Sequence, residues 1–271
     1  MSELQRRTLA SILNLVPSGE DRWLAPTPGE GPPRLFGGQV AAQALSAACQ
    51  TVPTDRPPHS LHGYFIRPGR PDAALELVVE RTRDGRSFTT RHVTAMQEGK
   101  AIFNLTASFQ AVEAGIDWQV PAPELPPPPD EEFTPVEPMF RAFWLASPFQ
   151  LRPVHPDPSR HVAHPCWVRL IEEIPKEPAV QACALTFISD MGVVGSARAP
   201  VDRGRPAALA SLDHAVWFHR PFDMAEWHLV SVEPVSNSGA RGLARGSVHS
   251  SDGRLVASFA QEALVRASGP G

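Results

Sequence analysis

Two stretches of this sequence, well apart along the chain, can be laid one over the other. "IRPGRPDAALELVVE" (66–80) covers "HRPFDMAEWHLVSVE" (219–233), which sets Arg67, Pro68 and Glu80 on Arg220, Pro221 and Glu233 at one constant spacing. After one residue of slippage "DGRSFTTRHV" (84–93) covers "SGARGLARGS" (238–247) and places Arg91 over Arg245. "GKAIFNLTASF" (99–109) then covers "GRLVASFAQEA" (253–263), setting Gln261 on Ala107 and Glu262 on Ser108. A repeat of this length points to a duplicated folding unit, so whatever one half builds, the other should build again. Between the halves lies "PAPELPPPPDEEFTPVEP" (121–138), whose prolines cannot donate a ladder of backbone hydrogen bonds and which reads as an extended linker. The expected organisation is a first repeat over 1–111, a linker over 112–138 and a second repeat over 139–271.

Each half opens its repeat with an Ala- and Leu-rich helical stretch, "GGQVAAQALSAACQTV" (37–52) and "AVQACALTFISDMGVV" (179–194), introduced by Gly or Pro. Strand-like runs follow, in the first half "HSLHGYFIR", "AALELVVERTR", "SFTTRHVTAMQ" and "KAIFNLTASFQ", separated by the turn signals "RPGRPD", "RDGR" and "QEGK". One helix of small side chains followed by meandering strands predicts an antiparallel sheet closing tightly on that helix, twice over: a duplicated α+β fold. At the head of the first repeat, Leu9, Ile12, Leu13 and Val16 share one face of a predicted N-terminal helix. The apolar run there is short, is interrupted by Ser11 and Asn14, and is followed by no small-x-small site, so it reads as a helix rather than a leader.

Composition narrows the partners. Of 271 residues 42% are hydrophobic and 20% charged, enough for a sizeable core. A net charge of −4 offers no basic footprint for nucleic acid, and no apolar run approaches a membrane span, so a small-molecule ligand is expected. Cys49, Cys166 and Cys183 are too few and too scattered for a disulfide framework and suit a reducing cytoplasm. "HVAHPCW" brings His161, His164 and Cys166 close in sequence, but without a second matching cluster no metal site is expected, and no cofactor is implied. There is no G-x-S-x-G elbow and no Walker A loop, and "GARGLARG" lacks the strand and acidic partner of a dinucleotide site.

Polar residues inside otherwise apolar runs mark where chemistry could sit. Gln261 and Glu262 interrupt "ASFAQEALVR", and strand alternation sends them to opposite faces. Asp190 ends "ALTFISD", where a carboxylate meets the unfavourable end of its own helix dipole and where the first half has Gln50. Ser211 opens the strand-like "SLDHAVWFH". Asp213 and His214, adjacent on that strand, point to opposite faces, form no dyad and read as structural. Taken singly, Gln261, Asp190 and Ser211 also read as ordinary structural residues.

The stretches "LFGGQVAAQAL", "SLHGYFIRPG", "SLDHAVWFHRPF" and "LVASFAQEALVR" together resemble the motifs of type II acyl-CoA thioesterases, whose fold is a double hotdog. The resemblance implies hydrolysis of fatty acyl-CoA to fatty acid and coenzyme A, by a water held between a carboxylate, a hydroxyl and an amide. By position these are Asp190, Ser211 and Gln261, with Asp190 as general base. It further implies Gly37 and Gly38 at an oxyanion-binding helix start, and association into a homo-oligomer. Many bacterial members have threonine where this chain has Ser211, and the segment between Asp190 and Ser211 is shorter here. Arg91, Arg241 and Arg245 are candidates for the phosphates of coenzyme A and equally for exposed strand positions. Two other readings share the fold class: a non-catalytic acyl-CoA-binding protein, and an acyl-CoA hydratase, whose Asp and His arrangement is not evident here.

Overall fold

The computed structural model describes residues 7–29, 33–124, 126–130, 147–156, 164–198 and 207–267. In the first half α1 (Leu9–Ile12) and the hairpin of β1 (Val16–Gly19) and β2 (Arg22–Ala25) precede the long helix α2 (Gly37–Cys49). The strands β3 (Pro58–Phe65), β4 (Leu75–Asp84), β5 (Phe88–Gln97) and β6 (Lys100–Gln110) follow. The second half has β7 (Phe149–Pro153) and β8 (Cys166–Leu170), then α3 (Pro178–Ser189) and the short α4 (Val193–Ser196). It closes with β9 (Ala207–Ser211), β10 (Asp213–Phe218), β11 (His228–Ser238), β12 (Arg241–Ser250) and β13 (Leu255–Ala267). The predicted N-terminal helix is cut short: it ends at Ile12, and Val16 is an exposed residue of β1. Pro17 disfavours helical backbone at Val16, which releases that residue into the hairpin.

All strands join one antiparallel sheet in the order β1-β2-β4-β5-β6-β3-β10-β13-β12-β11-β8-β7, with β9 also paired to β13. The seam between the halves is β3 against β10, where Leu61 faces Val216 and Gly63 faces His214. Each half is thus a sheet wrapped on its own helix, the double hotdog expected from the motifs. Helices α2 and α3 pack side by side at the centre. Ala41, Ala42, Ala44, Leu45, Ala184 and Leu185 are fully buried there. Small side chains set the spacing: a Cβ on Gly38 would stand 2.2 Å from the Phe187 carbonyl oxygen, so only glycine allows this approach. Phe36 and Phe187 close the contact edge to face at 5.0 Å. Residues 111–124 and 126–130 carry no helix or strand, and the rest of the Pro-rich run, like His161, lies outside the described residues. No helix among the described residues is long and apolar enough to cross a membrane.

Strand register tests the repeat alignment. His62 faces Thr106 across β3 and β6, and its counterpart Ala215 faces Ala260 across β10 and β13, so the next residues along, Ala107 and Gln261, are true counterparts. The pairing of Arg91 with Arg245 needs correction. Arg91 faces Ala107, whereas the residue facing Gln261 from β12 is Ala244. The extra residue of the second half lies in the turn between β12 and β13, not before β12. One residue of register moves a side chain to the other face of a sheet, and here it divides the two arginines: Arg91 is 1% exposed and points inward, Arg245 points out.

Candidate active site

The puzzle of a carboxylate at the wrong end of its helix is resolved by the neighbouring helix. Asp190 caps the C-terminus of α3, and its Oδ2 accepts a 2.8 Å hydrogen bond from the backbone N–H of Gly38, in the first turn of α2. The carboxylate therefore sits in the positive field of one helix start while ending another. It is buried, and Oδ1 has no hydrogen-bond partner among the described residues. Burial pushes its pKa from the usual carboxylate value up to about 7, against the Gln261 side chain and the Gly38 N–H, which both favour the ionised form.

Gln261 is fully buried on β13, while its neighbour Glu262 turns to the other face and pairs with Arg241 at 2.8 Å. The Gln261 amide is held at both ends. Its Oε1 lies 2.7 Å from Nδ1 of His214, and its Nε2 donates to Oγ of Ser211 at 2.9 Å. His214 is fully buried, and desolvation lowers its pKa to about 4, so the ring is neutral. Because a Gln carbonyl can only accept, the His214 proton is on Nδ1. Nε2 then accepts from the Ser189 hydroxyl at 2.8 Å, in preference to that hydroxyl's other acceptor, the Thr186 carbonyl at 3.0 Å. The imidazole thereby aims the amide N–H groups of Gln261 toward Ser211.

Sequence reasoning assigned His214 no role beyond structure, and the cause is local. Ser211 faces Ala263 while Ala215 faces Ala260, so the strand running through β9 and β10 carries one residue more than β13 between those points. This bulge turns His214 to the same side as Ser211, where strict alternation would have separated them. Asp213 stabilises it, accepting the Glu262 backbone N–H at 2.6 Å, while Leu212 donates to the Glu262 carbonyl at 2.9 Å. Asp213 and His214 form no dyad: the Asp213 carboxylate faces His62 at 3.1 Å instead.

A cleft of about 560 Å³ opens beside these groups, between the halves. Gly37, Phe65 and Phe103 line it from the first half, Leu209, Ser211 and Leu212 from the second. Asp190 lies directly behind Gly37, where a Cβ would come within 2.7 Å of its Oδ2. The first backbone acceptor inside α2 is Phe36, bonded by the N–H of Val40. The N–H of Gly37 therefore remains available, whereas that of Gly38 is engaged by Asp190.

The structure thus gathers Asp190, Ser211, Gln261, Gly37 and Gly38 and leaves the two arginines outside. Arg91 bonds Thr51, Arg83, Thr90 and Asp84 inside the first half. Arg245 pairs with Glu233 at 2.6 Å beside a separate cleft of about 850 Å³. Of the sequence's metal candidates, His164 lies against the Val230 and Met191 carbonyls and Cys166 is buried with its thiol pKa pushed above the ordinary value. Among the described residues no cluster of His, Cys, Asp or Glu could hold a metal ion.

Two family models match, the acyl-CoA thioesterase N-terminal domain over residues 25–110 and acyl-CoA thioesterase over residues 150–264. The chain belongs to the type II acyl-CoA thioesterase family. Acyl-CoA thioesterase 2 of Haemophilus influenzae is 37% identical over 255 residues, covering 87% of this chain and 88% of that protein. The crystal structure of acyl-CoA thioesterase II TesB2 from Mycobacterium marinum superposes with a TM-score of 0.78 at 35% identity, covering 97% of this chain and 99% of the other. A hot dog fold protein from Alicyclobacillus acidocaldarius, at 22% identity and TM-score 0.77 over 96% and 98% of the chains, shares the fold. In this member of the thioesterase family the matched segments meet at the cleft, Gly37 in the first and Ser211 in the second, with Gln261 bonded to Ser211 from behind.

Proposed function

We propose that this chain, a thioester hydrolase by family, cleaves fatty acyl-CoA with a water activated by Asp190 and oriented by Ser211 and Gln261. The observation that carries this reading is the buried Oδ1 of Asp190, which has no hydrogen-bond partner among the described residues and belongs to a carboxyl group with a pKa of about 7. A water there gives a proton to Asp190 as its oxygen attacks the thioester carbonyl carbon. The carbonyl electron pair moves onto oxygen, and the resulting oxyanion is met by the Gly37 N–H at the start of α2. Collapse breaks the carbon–sulfur bond, and the departing thiolate takes the proton from Asp190. The second N–H of the Gln261 amide donates to one lone pair of the water and the Ser211 hydroxyl oxygen accepts its other hydrogen, which leaves the second lone pair for the attack. The free thiols of Cys49, Cys166 and Cys183 fit work in a reducing cytoplasm, and sedimentation of the pure protein tests the homo-oligomer implied by the motifs.

Release of coenzyme A thiol from short- to long-chain acyl-CoAs is the test. Removing a positioned base costs on the order of 10²–10⁴ in rate, so Asp190→Asn should be nearly inactive and Gln261→Ala strongly impaired, both still folded. Turnover by Asp190→Asn at the parent's rate would exclude this carboxylate as the base.

A further inference from the structure

The duplication supplies an internal comparison at the cleft. Arg67 and Arg220 occupy corresponding places, and each gives one guanidinium N–H to a corresponding backbone carbonyl: Arg67 to Ala101 at 2.6 Å, Arg220 to Leu255 at 2.8 Å. Beyond that bond they differ. Arg220 is largely covered, and its Nε and Nη2 both point at the single carboxylate oxygen Oδ1 of Asp117, with Nη2 also reaching the Trp118 carbonyl. The corresponding N–H groups of Arg67 have no partner among the described residues, and the side chain is exposed on the cleft that holds Gly37 and Ser211. Arg34 lines the same cleft, likewise with no hydrogen bond or ion pair to a described residue, and the described residues that line it include no carboxylate. The separate cleft beside Arg245 offers no such charge, because Glu233 neutralises that arginine.

We propose that Arg67, together with Arg34, is the phosphate subsite for the coenzyme A half of the substrate. Asp117 fills the equivalent place on Arg220 and displays what this guanidinium arrangement accepts, an oxyanion taken by Nε and Nη2 together. A chain of net charge −4 repels a polyanionic substrate at long range, and two arginines with no carboxylate partner among the described residues reverse that locally on the cleft. The inference rests on the cleft being the thioester site and adds which residues meet the phosphates there.

The experiment compares an acyl-CoA with the same acyl group on N-acetylcysteamine, a thioester without phosphates, in the parent, Arg67→Ala, Arg67→Lys and Arg220→Ala. Losing a charge-assisted contact should raise the KM of Arg67→Ala for acyl-CoA about tenfold at low ionic strength. Its KM and kcat for the phosphate-free thioester should stay within about twofold of the parent. Arg67→Lys should fall between, and Arg220→Ala, which loses the same kind of backbone contact, should change neither KM. An equal rise on both substrates would mean that Arg67 only supports the fold, and no rise on acyl-CoA would remove it from the substrate; either result overturns the proposal. Both readouts are independent of Asp190→Asn, whose continued turnover would overturn the proposed base without touching this subsite.

Discussion

Replacing Asp190 by Asn should make the protein inactive and, with rising pH, progressively more stable than its parent. The ordinary carboxyl value of 3.8 rises to about 7 at this site, chiefly because the group is buried. Each pKa unit corresponds to about 1.4 kcal/mol, so keeping the carboxylate ionised in the native state costs roughly 4 kcal/mol in full. Between pH 3.8 and about 7 the folded protein holds a proton that the unfolded chain has released. The parent's stability therefore falls as pH rises through that window and levels off above it. From pH 5 to pH 8 the loss is roughly 2.5 kcal/mol. The Asp190→Asn protein, with an amide that does not titrate, should show no such loss. His214, whose buried ring contributes with the opposite sign as its pKa of about 4 is approached, is common to both proteins and cancels. The absolute difference also includes how well the new amide is satisfied beside Gly38, but its pH dependence does not. Urea denaturation of both proteins at pH 5 and pH 8, followed by tryptophan fluorescence, measures it. The same ionisation should govern catalysis, with the parent's kcat/KM at pH 6 about a tenth of its plateau. A stability difference that is identical at the two pH values would mean that Asp190 is ionised throughout, and the argument for a base poised near neutrality would go with it.

Substituting His214 by Leu, the residue type of its counterpart Leu61, should strand the buried Gln261 carbonyl. That costs about 1–3 kcal/mol and, by freeing the amide, lowers kcat on the order of 10–100-fold with little change in KM. His214→Asn, which can still donate to that carbonyl, should recover part of kcat in thiol-release assays; full activity of His214→Leu would remove the histidine from the positioning of Gln261. The two glycines of the α2 start should separate. A Cβ on Gly38 meets the Phe187 carbonyl at 2.2 Å, a backbone atom, and Gly38→Ala should cost about 1–3 kcal/mol in thermal or urea melts. A Cβ on Gly37 meets side chains instead, Asp190 Oδ2 at 2.7 Å and the Phe65 ring at 2.8 Å, so Gly37→Ala should lose thiol release before it loses stability.

What could be read from the sequence was local or repeated. Ala-rich helical stretches and alternating strand runs are short-range patterns, and the duplication displays each of them twice, so two helices each wrapped by antiparallel strands followed directly. The face a side chain takes depends on register, and register can change inside a turn or a bulge that leaves no mark on composition. Arg91 and Arg245 were matched one residue out because the extra residue sits in the β12–β13 turn. His214 was set aside as structural once alternation excluded a dyad with Asp213, because the bulge at the start of β10 that turns it to the side of Ser211 is not visible in the sequence. Asp190 looked misplaced because the group that accommodates it, the Gly38 N–H, lies 152 positions away in the other repeat.

That last contact explains why the two repeats differ where they do. The pseudo-symmetric counterparts of Asp190, His214 and Gln261 are Gln50, Leu61 and Ala107: an exposed C-cap amide and two buried apolar residues. A symmetric dimer of the second repeat would place a buried carboxylate at the start of both central helices. It would then carry the roughly 4 kcal/mol ionisation cost twice. With both repeats in one chain, each position can be chosen separately. The first repeat keeps Leu61 and Ala107 packed and supplies a helix start with bare glycines, while the second supplies the carboxylate, the amide and the imidazole that aims it. The proposed catalytic groups and the helix start that stabilises the carboxylate come from different repeats, so the proposed site is complete only when α2 and α3 are docked. Mutations that loosen that helix contact, Gly38→Ala foremost, should therefore reduce activity even where every polar residue of the site is intact.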